Sequence, residues 1–330
     1  MNVAVDYLDS KIDPRNNREN FKRVTGSIRS NKKWTHDNII TTWQTSVNYT
    51  GTFERDDNDP DLTVNNTIDF YSSRNHTVSL NNTVVARFPL QKFIQSLTLT
   101  QGLSYGYDRI HQDKTVASSR LYPMPVSTTA GDHYVGYLPM VYDAAFDVTG
   151  RPFTGFTKLS SIFKYSYGPV SNILKAGMEW NMSKNYGKGQ IYDMMRPITA
   201  GNTSRPRPFN DIPAMHQLSA YIENTADIAL GDHIVEAMIG VRETQLLHLS
   251  EKYSLRNRPY LDPRINVKWT LPSPDIAAHP LKTELSGGFG WHTKMPTGAY
   301  LYPNPLYLDF AQQNYFHNDE AVARRGFGNN

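Results

Sequence analysis

The sequence predicts an all-β chain, an antiparallel transmembrane β-barrel, and three observations carry that prediction. Apolar and polar residues alternate at period two in one segment after another. The connections alternate in length, tight at residues 89–92, 168–171 and 229–232 and long at 109–154, 183–213 and 245–260. Aromatic residues stand near the ends of the apolar faces (Trp43, Tyr107, Tyr167, Trp180, Trp291), where a bilayer has its interfaces. Each feature taken singly also suits a soluble β-sandwich, whose apolar faces turn inward. Together they favour a barrel wall with the apolar face turned outward to lipid.

Residues 158–182 are the segment around which the rest is arranged. They read as two strands joined at Gly168-Pro169. Leu159, Phe163, Tyr165 and Tyr167 share a face on the first strand; Leu174, Ala176, Met178, Trp180 and Met182 share one on the second. Lys175, Gly177, Glu179 and Asn181 occupy the opposite face. A strand with this division separates an apolar medium from a wet one.

Along the chain, residues 1–30 hold two weakly patterned strand candidates, at 3–8 and 21–30. Residues 43–53 alternate cleanly, with Trp43, Val47, Tyr49 and Phe53 in one phase and Gln44, Ser46, Asn48 and Thr50 in the other. Strands are expected next at 67–71 and 78–88, then at 97–107 with Leu97, Leu99, Leu103 and Tyr105 in phase. A connection of about 45 residues follows, a length that is usually functional or disordered. After the central hairpin and a second long connection, Leu218, Ala220 and Ile222 alternate with Ser219, Tyr221 and Glu223. The same alternation recurs at Val235 to Val241, Ile265 to Leu271 and Leu285 to Trp291, for about twelve strands in all. The lipid-facing set is Val47, Leu99, Leu174, Met178, Trp180, Ile239, Trp269 and Phe289.

Composition narrows the function. A net charge of +3, with 34 basic and 31 acidic residues, implies no nucleic-acid partner. No apolar run approaches the roughly 18 residues of a membrane-spanning helix, which leaves β-barrels untouched. Mean hydropathy of −0.54 does not separate soluble from membrane β, because lumen-facing residues dilute lipid-facing ones. Cysteine is absent, which removes disulfides, thiolate metal sites and cysteine nucleophiles.

Catalytic templates fail on inspection, so no enzyme and no cofactor is expected. Gly187-Lys188-Gly189 lacks the spacing and the following Ser or Thr of a phosphate loop. The ten histidines form no zinc-protease or paired-histidine motif. Asp57, Asp59 and Asp61 alternate as in a calcium loop, but Pro60 sits where the turn is needed; a solvated turn is the preferred reading and no metal is expected. The long connections carry Tyr134, Tyr137, Tyr142, Tyr186 and Tyr192 with the basic residues Arg196, Arg205 and Arg207, a candidate ligand-gripping surface. The competing role for these side chains is to pack the loops against one another and to carry solvated charge. Lys175, Glu179, Glu223, Glu236, Arg242 and Lys268 are expected to pair across strands on the polar face.

Five stretches resemble the barrel region of TonB-dependent outer-membrane receptors. They are residues 137–142, 177–193 (GMEWNMSKNYGKGQIYD), 205–224 (RPRPFNDIPAMHQLSAYIEN), 261–271 (LDPRINVKWTL) and 287–309 (GGFGWHTKMPTGAYLYPNPLYLD). The most specific feature is a strand ending in Thr293-Lys294-Met295-Pro296-Thr297 with Tyr302-Pro303-Asn304-Pro305 after it. The resemblance implies a plugged barrel of about 22 strands that imports a scarce or bulky nutrient, such as a siderophore or glycan. Its partners would be its own plug domain, the TonB energy-coupling protein, outer-membrane lipid and a surface lipoprotein. On that footing residues 1–330 are part of the barrel domain, without signal peptide, plug or final strands. A soluble carbohydrate-binding sandwich or adhesin, and a porin-type barrel without TonB coupling, are the alternatives.

Overall fold

The computed structural model describes residues 2–12, 17–58, 67–122, 137–193, 195–200, 206–272, 275–276, 279–280 and 283–302. The strands in chain order are β1 (Asn2–Ile12), β2 (Asn17–His36), β3 (Ile39–Asn58), β4 (Asp69–Arg87) and β5 (Ile94–Ala117). They continue as β6 (Val141–Gly150), β7 (Pro152–Tyr167), β8 (Val170–Asn185), β9 (Gly189–Tyr192) and β10 (Met215–Leu230). The last are β11 (His233–Leu247), β12 (Tyr260–Thr270), β13 (Asp275–Ile276), β14 (His279–Pro280) and β15 (Glu284–Gly290), before a single helical turn α1 (Gly298–Leu301).

The main strands form one antiparallel meander in the order β1-β2-β3-β4-β5-β7-β8-β10-β11-β12-β15. Side pairings of β6 with β5 and β9 bring this sheet to 13 strands, and β13 and β14 make a small ribbon apart from it. The expectation of about a dozen antiparallel strands with almost no helix therefore holds. The described sheet is open, with β1 and β15 at its edges, so neither closure nor a total of about 22 strands is part of it.

The hairpin turns follow from backbone chemistry. Asp37 and Asn38 both take positive φ (46° and 65°), the pattern of a type I′ turn. Gly168 (57°) and Gly231 (59°) take it alone at the first turn position, the pattern of type II′. Pro169, with φ held negative, fits the position after Gly168. The predicted long connections after β5, β8 and β11 all leave the opposite end of the sheet, although the link from β12 to β15 (271–283), on the turn side, is long as well.

Several strands are much longer than the sequence suggested. Residues 67–71 and 78–88 are one strand, β4, and residues 54–58 continue β3. Much of the expected connection 109–154 is strand: β5 runs on to Ala117 and β6 returns beside it, Asp108 facing Gly150 and Ala117 facing Val141. Residues 183–213 likewise contain the end of β8 and all of β9. The physical reason is uniform. In these extensions both faces are wet, so Arg109, His111 and Asp113 alternate with Asp108, Ile110 and Gln112, and hydropathy has no period to report.

Cross-strand register puts all eight predicted lipid-facing residues on one face. Val47 faces Leu80 and Leu80 faces Leu103. Leu99 faces Leu159, which faces Met178, which faces Ala220. Leu174 faces Asn224, then the row continues through Ile239, Ile265 and Phe289. Trp180 lies opposite Leu218, and Trp269 opposite Val235 and Leu285. No second sheet covers this face among the described residues. Phe289 is 64% exposed, Ile239 62% and Met178 50%, whereas Leu99 and Leu174 are half-buried by their neighbours. A sandwich would have covered these side chains.

The opposite face is packed differently. An added Cβ at Gly177 would stand 2.7 Å from the Tyr221 ring and 2.8 Å from the Leu159 carbonyl oxygen, whereas one at Gly287 would meet open space. Gly177→Val is therefore expected to cost about 1–3 kcal/mol. Gly287→Val should cost less, and equal urea-unfolding midpoints for the two variants would refute this account of the contact.

Candidate functional site

Two features of the sheet bear on function: the exposed apolar face with its borders, and the built layer above the loop-side border. On the apolar face no charged side chain occurs along residues 41–51, 76–86, 97–107, 155–167, 170–182, 218–228, 235–241, 263–269 or 285–289. Aromatic groups border that region. Trp34, Trp43, Phe163, Tyr165, Tyr167 and Trp269 stand toward the tight turns, and Tyr49, Phe53, Tyr107 and Trp180 toward the long connections. Three of them bond across strands: Trp43 Nε1 donates to Asn82 Oδ1 at 2.5 Å, Trp269 Nε1 to His233 Nδ1 at 3.2 Å and Tyr165 Oη to Asn224 Oδ1 at 3.3 Å. From Trp43 to Phe53, or Leu97 to Tyr107, the strand advances roughly 33 Å. At a tilt near 40° that is a height of about 25 Å, the height of the apolar band of a membrane barrel.

Histidines stand in the loop-side border, a feature the sequence reading missed although they share the phase of the aromatics. His76 lies 2.9 Å from the Tyr49 hydroxyl and meets Phe53 edge-on, ring centres 5.1 Å apart. His216 stacks on Trp180 at 5.8 Å and meets His248 at 5.2 Å.

The polar face carries short-range charge pairs. Lys175 Nζ lies 3.4 Å from Glu223 and Lys268 Nζ 3.3 Å from Glu236, so four of the six predicted charges pair across neighbouring strands. Glu179 instead accepts from Asn181 at 2.8 Å, and Arg242 stands opposite Asp262. Beyond the uncharged band, burial alone would raise the Asp262 pKa. Thr293, donating from its backbone N–H and its hydroxyl, outweighs this with His292 and Arg242 and lowers it.

Above the loop-side border the chain builds two small apolar clusters. Val116, Leu138, Tyr142 and Ala144 form one, on the β5–β6 extension; Leu246, Leu249 and Leu301 form the other. Several candidate ligand residues serve in this layer. Tyr142 is buried and its hydroxyl donates to the Pro197 carbonyl at 2.7 Å. Tyr192 packs on Phe146 with ring centres 5.7 Å apart. Arg207 exchanges backbone bonds with Gln190 at 3.0 and 3.1 Å, and its guanidinium donates to the Tyr302 carbonyl. Burial lowers its pKa. Tyr137, Tyr186 and Arg196 are exposed. Lys184 lies over the Tyr186 ring at 5.7 Å, and Arg196 closes a turn onto the Asp193 carbonyl. Tyr134 and Arg205, with Asp59 and Asp61 of the acidic stretch, lie outside the described residues. A cavity of about 360 Å³ beside this layer is lined by Lys184, Arg207, Phe209, Met215 and Tyr302 among others.

The Gly187-Lys188-Gly189 stretch has a structural explanation. A Cβ on Gly187 would fall 2.1 Å from the Thr149 carbonyl oxygen, and one on Gly189, whose φ is +79°, would fall 1.8 Å from the Arg207 carbonyl oxygen. Only glycine lets three segments meet there.

No family model matches the sequence, and no curated protein matches it. Among solved structures the chain is similar to the beta domain of the Bordetella autotransporter BrkA, with a TM-score of 0.29 and 10% identity over 87% of this chain and 91% of that one. At that TM-score the likeness carries no argument, and the functional reading rests on the register and faces described above.

The β5–β6 extension holds a pH-sensitive contact. His111 lies 3.0 Å from both Asp147 and Asp113. Burial alone would lower its pKa, but these two carboxylates outweigh burial and raise it. A raised folded pKa means the contribution to stability is complete below the unfolded value of about 6.5 and disappears as pH rises through the folded value. Amide-exchange protection in β5 and β6 should therefore weaken above neutral pH, and His111→Asn should flatten that dependence. A profile identical in the variant would count against the histidine.

Proposed function

We propose that this chain is the wall of an outer-membrane β-barrel. The reading is carried by the exposed, uncharged apolar face, bordered by aromatics at a spacing that matches a bilayer. In water such a face would be a large unprotected patch. Within the barrel class, the finer proposal is a TonB-dependent receptor that imports a scarce or bulky nutrient past a plug, with the TonB protein supplying energy and a surface lipoprotein as an additional partner. Eleven strands lie side by side on the main path without meeting, which suits a barrel larger than the eight-stranded kind whose interior side chains fill. The built loop layer suits capture of a ligand before passage, with Tyr137, Tyr186 and Arg196 as its exposed contacts. Transport, not catalysis, is the proposed activity. A porin-type barrel is the second reading, supported by a polar face rich in Gly, Ser, Thr and Asn.

The face assignment is tested in the full-length protein. Ile239→Arg, within the band, should cost roughly 2–4 kcal/mol of membrane stability and abolish the heat-modifiable folded form in outer-membrane fractions, whereas Trp180→Asp, at the border, should cost less. Thr100→Arg, on the polar face, should be tolerated. Equal tolerance on both faces would remove the membrane reading. Energised import is tested separately by collapsing the proton-motive force: uptake that continues unchanged would leave a passive barrel.

A further inference from the structure

On the lipid-facing side, immediately beyond the loop-side aromatic border, β4 and β5 place Arg74 directly opposite Arg109. Two residues below, on the same face, are His76 and Tyr107. Like charges facing each other across antiparallel strands are destabilising, since their Cβ atoms stand about 5 Å apart. Arg151, in the link between β6 and β7, adds a third guanidinium, 5.9 Å from the Tyr107 ring centre. All three arginines are exposed, and no ion pair is recorded for any of them among the described residues. Of the nearby acids, Asp108 lies in the opposite phase of β5, on the other face of the sheet, and the rest are already engaged. Asp57 holds Arg55 at 2.7 Å, while Asp113 and Asp147 hold His111. The result is a local excess of positive charge with no protein counter-ion, placed at the height of a lipid headgroup and flanked by aromatic rings.

We propose that Arg74, Arg109 and Arg151 form a binding site for the phosphate groups of a lipid headgroup in the loop-side leaflet. The proposal rests on the membrane reading above. The chemistry is that of guanidinium forks, which chelate phosphate oxygens in two-point contacts. Tyr107 and His76 border the site where the headgroup meets its acyl chains. The phosphate supplies the missing counter-charge, so the Arg74–Arg109 opposition is relieved only when a lipid is bound. A free anion in solution would gain nothing from the aromatic border, whereas a lipid is held at this height by its chains.

The test uses the full-length protein purified in mild detergent, with diphosphorylated lipid A as probe and dephosphorylated lipid A and inorganic phosphate as comparisons. The wild-type protein should bind the diphosphorylated lipid about tenfold more tightly than the R74Q/R109Q/R151Q variant does. It should show little preference between the two proteins' affinities for the dephosphorylated lipid, and inorganic phosphate at the same concentration should not displace the lipid. The single variant R109Q provides a sign test and a safeguard against misfolding of the triple variant. Without lipid it should be at least as stable as wild type, because the like-charge pair is gone. With diphosphorylated lipid it should gain less stability than wild type. Inserted wild-type protein whose lipid affinity ignores the phosphates, or equals that of the variant, overturns this site alone. Displacement by inorganic phosphate overturns the lipid as its occupant. A full-length protein found only in soluble fractions overturns the membrane reading and this site together.

Discussion

Register is the constraint on which everything else here depends. Side chains on a strand alternate with a period of two, so the phase of one strand sets the phase of each strand bonded to it. Across this sheet the pairing carries a single phase from Gly26 and Ile28 in β2 to Phe289 in β15. A slip of one residue between β8 and β10 would bring Lys175 and Glu179 onto the face of Leu218 and Ile222, and would separate Lys175 from Glu223. The ladder also satisfies the backbone of each internal strand, a requirement that becomes strict wherever water is absent. The tight turns reinforce it, because a two-residue loop with the correct φ pattern allows little freedom in how its strands align.

The apolar face was legible in the sequence because it is the part under a periodic constraint. Leu99, Met178, Ile239 and Trp269 each sit in a run whose alternation is unmistakable, and the structure brings all of them to one side. Strand length was not legible. Beyond Tyr107, Asp108 to Thr115 carry polar or charged side chains in both phases, so nothing in their hydropathy separates a strand from a loop. The partners of the loop residues were also invisible. Nothing in the sequence around Tyr142 announces that its hydroxyl reaches the Pro197 carbonyl, 55 residues away, or that Arg207 meets Tyr302. Such contacts depend on where whole segments cross. Gly187 and Gly189 left a trace, since glycines so closely spaced invite a reason, but the reason proved to be segment crossing and not a ligand.

Charge is distributed by the same logic. On the polar face Lys175, Glu223, Glu236 and Lys268 neutralise one another over a few ångströms, which leaves a wall of mixed sign without a strong field of its own. Toward the loops the balance differs: His111 is held between two carboxylates, while the arginines beside the aromatic border are not. The apolar face therefore ends in two unlike borders. Both sides carry aromatics and histidine, but the turn side adds Lys32 near the Trp34 ring, whereas the loop side adds the facing arginines Arg74 and Arg109. That polarity would orient the sheet in an asymmetric bilayer.

The overshoot of the strands has a consequence for access. β5 rises ten residues past Tyr107 to Ala117, and β6 braces it with a buried cluster at its top. At the strand rise and tilt used above, that adds about 25 Å of wall, as much again as the height of the band. A solute approaching from the loop side would enter a vestibule with firm sides well before it reached the plane of the lipids. On the reading proposed above, selection by girth would then begin ahead of the apolar band, set by a rampart of paired backbone.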